Sequence, residues 1–336
     1  MKNQQNKYGN WVIEGADGAE PHDALFKLAD ELFMPRGEVC LLTSEGSIGK
    51  SLLVMHLSIA FAMPEMEGFM CPRGIAGDPL KACSSHMPKI VLLYADEKEE
   101  SLRYRLYSLM VNQLRKTPDS ELVDKMAGRL LRASMRSTYI DQDREISIYE
   151  PSESGSSVDA ERRFDDLYEM LSGLGHIDLI VFDPLAPFGG GCFERNSDEA
   201  YKMVRQFERL TSLAGNPSVL LVDNSSSPTS ALCDAVRWVG SLAHRDKDER
   251  GRSELELKVK KSNYGPSGLS VRYLTNGLDI EPIKYEVLVL KRLRQMITLN
   301  IEEHGEEMHG HSVELLRHIE RTLEEVEKAQ GDADAR

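Results

Sequence analysis

Val39-Cys40-Leu41-Leu42-Thr43-Ser44-Glu45-Gly46-Ser47-Ile48-Gly49-Lys50-Ser51 carries an apolar run through a turn of small residues into a helical pattern. A strand that turns through glycine into a helix leaves backbone N–H groups aimed at one point in front of the helix N-terminus. A phosphate chain needs such donors, together with a lysine on its outer phosphates and a hydroxyl for Mg2+. Lys50 and Ser51 stand where those two groups belong, and Ser44, Gly46, Ser47, Ile48 and Gly49 form the cradle. Ser44 occupies a position that is glycine in the full pattern; serine fits there as long as φ stays negative. The stretch therefore predicts a loop that binds ATP with Mg2+.

Outward from this loop, apolar runs alternate with amphipathic stretches. Strands are expected at 39–43, 90–94, 179–182, 219–222, 255–259 and 271–274, and helices at 50–62, 99–114, 158–174, 198–213 and 230–242. Runs such as Leu179-Ile180-Val181-Phe182 do not alternate, which suits strands covered on both faces. The expected fold class is α/β, with a mostly parallel central sheet flanked by helices. Residues 1–36 read as an N-terminal arm, 37–285 as the core with an irregular insertion at 64–88, and 286–336 as an acidic helical tail. In that tail Val313, Leu316, Ile319, Leu323 and Val326 share one helical face, suited to packing on its own domain or to a subunit or partner contact.

Four further sites point to chemistry. The run 179–182 ends in Asp183, which would orient the metal or its waters. Asp96 and Glu97 follow the run 90–94, and one of them would polarise an attacking water, unless Asp96 serves as a helix N-cap. Lys261, in Lys260-Lys261-Ser262-Asn263-Tyr264-Gly265-Pro266, is either part of a solvated strand exit or a cation reaching a neighbouring subunit's γ-phosphate. Arg237, expected on a helix beside Trp238, is a second candidate for that reach.

Composition narrows the classes. The net charge of −14 argues against a surface that grips nucleic acid everywhere. Half of that charge lies in residues 298–336, where four Lys and Arg face eleven Asp and Glu, so a local basic channel remains compatible. Five scattered cysteines without a CxxC pair argue against a disulfide framework and give zinc little to bind. No apolar run approaches the roughly 20 residues of a membrane span, and residues 1–10 are polar, so a cytoplasmic protein without membrane contact is expected.

With these residues in view, the sequence resembles the plasmid RepA-type hexameric helicases, within the RecA-like ring ATPases. The resemblance runs from about Gly37 to Pro282 and rests on the loop with Ser44 first, Tyr104-Arg105-Leu106, the strand ending in Asp183, Glu194-Arg195-Asn196, and Lys261-x-Asn263-Tyr264-Gly265. It implies a homohexameric ring on single-stranded DNA. It also implies that Lys50, Ser51 and Asp183 serve nucleotide and metal, and that Arg105 and Tyr264 sandwich the adenine. Arg237 would be the finger acting across the subunit interface, with Lys261 in the sensor or finger turn. Two positions depart from the family: its catalytic glutamate aligns with Asp96, one methylene shorter, and its histidine pair is replaced by Asp223-Asn224.

Overall fold

The non-alternating runs meet in one sheet whose two faces each carry a core. A computed structural model describes residues 23–28, 30–46, 48–63, 73–74, 80–83, 88–94, 98–114, 120–134, 148–149, 157–189, 197–224, 230–247, 252–276, 279–282, 294, 297–298 and 317–321. In chain order the elements are β1 (Ala24–Leu28), β2 (Glu31–Pro35), β3 (Val39–Thr43), α1 (Lys50–Ala62), β4 (Arg73–Gly74), β5 (Leu80–Ala82) and β6 (Ile90–Tyr94). Next come α2 (Glu99–Leu114), α3 (Ser120–Arg129), β7 (Leu130–Ser134), α4 (Ser157–Ser172), β8 (Leu179–Asp183), α5 (Ala186–Gly189) and α6 (Ser197–Glu208). A 3-10 turn at Arg209–Ser212, β9 (Ser218–Asp223), α7 (Ser230–Ala235), β10 (Trp238–Lys247), β11 (Ser253–Ser262), β12 (Ser270–Asn276) and β13 (Asp279–Pro282) complete them.

The main sheet runs β13-β12-β11-β10-β3-β9-β8-β6-β7, with β4 on β12. It is parallel from β10 to β7 and antiparallel from β10 to β13. The parallel strands send alternate side chains to opposite cores, as period-two geometry requires. Cys40, Leu42, Ile90, Leu92, Leu179, Val181, Leu220 and Val222 pack with α1 and α2. Val39, Leu41, Val91, Leu93, Ile180, Phe182, Val219 and Leu221 pack with α4, α6 and α7. The mixed α/β architecture expected from the sequence is the one observed.

Several elements differ from the expectation. Residues 24–35, assigned above to an arm, form the antiparallel hairpin β1–β2, extended by β5 from within the stretch 64–88. Leu25, Phe26 and Phe33 of this hairpin belong to the α1 core. The hairpin is stitched to the main sheet by Trp238 Nε1 donating to Phe33 O at 2.6 Å, Ser218 Oγ to Pro35 O at 2.9 Å, and an Arg36–Asp178 ion pair at 2.8 Å. The helix expected over 230–242 stops at Ala235, and β10 begins at Trp238. Leu232, Val236 and Val239 have helical spacing, but from Trp238 onward the backbone pairs with β3 on one side and β11 on the other. Strand geometry puts residues i and i+2 on one face, and the Trp238 ring accordingly covers Gly240, where a Cβ would stand 2.4 Å from it.

Of the tail's apolar stripe, Ile319 falls within the described residues; it is buried in a helical stretch, 317–321, whose other residues are exposed. Val313, Leu316, Leu323 and Val326 lie outside the described residues.

The Trp238–Phe33 hydrogen bond yields a first prediction. Trp238→Phe leaves a buried carbonyl without its donor, which costs about 1–3 kcal/mol. A urea unfolding curve should show a lower midpoint at unchanged slope. An unmoved midpoint would mean that the hairpin is not held by this contact.

Candidate phosphate-binding site

The carboxyl ends of β3, β9 and β8 lie side by side, and every polar group of interest on them is buried. Thr43 pairs with Asp223 across β3 and β9, and Phe182 with Leu221 across β8 and β9. Asp183 and Asp223 therefore end neighbouring strands, 3% and 5% exposed. Gly49 adopts φ 100° and ψ 22°, a left-handed conformation that turns the chain into α1. The nearest atom to a Cβ there would be Leu255 Cδ1 at 3.9 Å, so the demand for glycine is conformational and not steric. No side chain caps α1, and its first turn holds no acid. Its leading N–H groups thus remain available to an anion, and the helix dipole favours one there.

Lys50 is 4% exposed. Its Nζ folds back onto the loop, donating to Ser44 Oγ, to Ser44 O at 3.1 Å and to Glu45 O at 3.0 Å. Burial pulls its pKa below the ordinary lysine value, while the carboxylates of Asp183 and Asp223 work in the opposite direction. One buried cation beside two buried carboxylates leaves the pocket short of positive charge until a metal accompanies the phosphates. Ser51 and the two carboxylates offer only hard oxygen donors. That set fits Mg2+, which keeps waters and takes phosphate oxygens as its other ligands. Among the described residues no cluster of three or more His, Cys, Asp or Glu suggests another metal.

Ser44, Gly46, Ile48, Gly49, Lys50, Ser51 and Asp183 thus lie at one edge of the sheet. Ser47, Asp96, Glu97 and Glu194-Arg195-Asn196 lie outside the described residues. Asp223 is a further residue at this edge, and its sequence signal is the one that marks Asp183: an apolar run ending in Asp. Arg105 sits half-buried in the second turn of α2, which descends from the carboxyl end of β6.

Three expectations need correction. Tyr264 does not share an edge with the loop. The register Trp238↔Ser262 and Trp238↔Cys40 puts the β11 exit at the amino end of β3. There the Tyr264 hydroxyl donates to Glu38 Oε1 at 2.6 Å. Burial and this hydrogen bond push the phenol up to about 12, with Arg237 nearby opposing them. One chain therefore does not form an Arg105–Tyr264 sandwich. Arg237 lies not on a helix but on the bend between α7 and β10, exposed, with its backbone N–H on Val39 O. Lys261 is not a loose cation on a strand exit: its Nζ donates to Cys233 O, Asp234 O and Val236 O at 2.8–2.9 Å.

A family model described as an AAA domain matches residues 7–226. The chain belongs to the AAA-domain family. The match takes in the hairpin, the loop before α1, and the strands that end in Asp183 and Asp223. It stops before α7, so Arg237, Lys261 and Tyr264 fall beyond it. As an AAA domain the chain is a P-loop ATPase and a nucleotide-binding protein, typically with Mg2+. No curated protein matches it. Among the described residues of this AAA domain, no helix is long and apolar enough to cross a membrane.

Proposed function

We propose that this ATPase assembles into a homo-oligomeric ring, a hexamer by its resemblance, that moves on single-stranded DNA as the replicative helicase of a plasmid, phage or other mobile element. The observation that carries the ring is the separation of Arg237 from the loop. The two lie at opposite ends of β3, whose five residues span about 16 Å. A cation there that acts on a γ-phosphate would have to act on that of another copy. The resemblance supplies the DNA and the direction of the reading: Lys261-x-Asn263-Tyr264-Gly265 and Glu194-Arg195-Asn196 both match the helicase pattern.

In this reading Lys50 and the N–H groups leading α1 draw charge off the outer phosphates, and Ser51 with Asp183 holds the metal. Bound Mg2+ would supply charge neutralisation at the phosphates. Asp96 or Glu97 takes the proton of the attacking water. Arg237 reaches the neighbour's γ-phosphate, and Asp223 keeps a second negative charge beside Lys50, helping to hold it protonated.

ATP turnover is expected to rise with single-stranded DNA. The stimulation should shrink about 10-fold or more between roughly 50 and 200 mM salt, because phosphate contacts release counterions. Turnover indifferent to DNA at every salt concentration would overturn the helicase reading. The outcome would then favour a second one, an ATP-gated assembly or regulatory protein with slow hydrolysis. Asp96 in place of glutamate, Asp223-Asn224 in place of histidines, and an acidic tail suited to a protein partner support that alternative.

A further inference from the structure

Exposed arginines are ordinarily solvated and free to sample many rotamers. Arg237 is exposed as well, but the backbone that carries it is held by groups far away in sequence. Its N–H donates to Val39 O at 3.3 Å, and its carbonyl accepts from Asn263 N at 3.1 Å. The carbonyls of Cys233, Asp234 and Val236, which close α7 and lead into the bend, are all taken by the single ammonium of Lys261. A lysine at a helix C-terminus satisfies carbonyls that have no partner within the helix, and it complements the negative end of the dipole. An ammonium has three donors, and all three are spent here.

From this geometry we infer that Lys261 is a positioning residue: it anchors the 233–237 backbone to the end of β11 so that Arg237 is presented from a fixed place to the nucleotide of a second copy of this chain. The inference rests on the ring reading, and it replaces the role of Lys261 as a cation acting directly on phosphate. The Tyr264 hydroxyl on Glu38 ties the turn after β11 back to the start of β3, so the anchor itself is fixed from both sides. A displacement of about 1 Å at a catalytic group costs roughly 10²-fold in rate. Loss of the anchor should therefore appear in turnover and not in nucleotide affinity.

The test uses the full chain with ATP, Mg2+ and single-stranded DNA. Lys261→Met is expected to lower kcat about 10- to 100-fold and to leave the ATP Kd within about two-fold. Lys261→Arg, which can still donate to several carbonyls, should recover most of the loss. In an Arg237→Ala background Lys261→Met should cost nothing more, because residues acting as one unit are not additive. A helix cap of purely structural value would lower the melting temperature, leave kcat unchanged below it, and add its effect to that of Arg237→Ala; that result overturns the inference. Should Lys261→Met not fold, Lys261→Gln keeps two of the three N–H donors and carries the same comparison. If Arg237→Ala itself leaves turnover intact, the ring reading fails first, and the two failures are told apart.

Discussion

Lys50→Ala is expected to weaken binding of Mg-ATP about 10²- to 10⁴-fold, the range that corresponds to the roughly 3–5 kcal/mol for removing one partner from a buried set of charges. The argument is one of charge as much as contact. Lys50 is the cation held between the loop carbonyls and the buried Asp183 and Asp223. Without it, the approaching triphosphate meets two carboxylates and only the partial charge of the helix end, worth about half a unit. Titration with a fluorescent ATP analogue in Mg2+ reads the loss directly. Undiminished affinity would mean that the loop before α1 is not the phosphate site, and every role assigned from it would fall.

Arg237→Ala should produce the largest change in rate, a fall in ATP turnover of about 10³- to 10⁵-fold with nucleotide affinity nearly intact, the range for loss of an arginine acting on the transferred phosphoryl group. Its distance from the loop in its own chain makes a sharper result available. Lys50→Ala protomers lack a working pocket but retain Arg237; Arg237→Ala protomers have the reverse. Each variant alone should be inactive, and mixing them should restore turnover, because some interfaces then join an intact pocket to an intact arginine. Steady-state hydrolysis across the mixing ratio measures this. A flat line at the level of the separate variants would show that Arg237 serves no pocket but its own, or none.

The local features were the legible ones. The run 39–43, the glycine turn and the helix that follows are contiguous, so the sequence holds their whole physical cause. The same is true of Asp183, whose place at a strand end follows from the four apolar residues before it. What escaped depended on partners distant in the chain. Trp238 begins a strand because β3, about 200 positions earlier, offers it an edge; the apolar spacing around it suits a helix equally well. The hairpin β1–β2 reads as an arm in sequence because the groups that tie it to the main sheet, Trp238, Ser218 and Asp178, lie far along the chain. Tyr264 matched a nucleotide-binding pattern residue by residue. Only the register of β11 on β10 reveals that its ring stands at Glu38, at the far end of the sheet from the loop. Asp223 was visible as a departure from a histidine pair, but its closeness to Lys50 appears only when β9 is seen to lie between β3 and β8.

If Arg237 serves a second copy as proposed, a protomer with its pocket at one end of β3 and its arginine at the other is a directional brick, stacked top to bottom. Such contacts close into a circle or continue as an open row. In an open row the last pocket is always idle and the first arginine always unused, whereas closure leaves neither. Activity per chain should then climb with concentration and level off only when circles outnumber rows, a behaviour built into the length and orientation of a single strand.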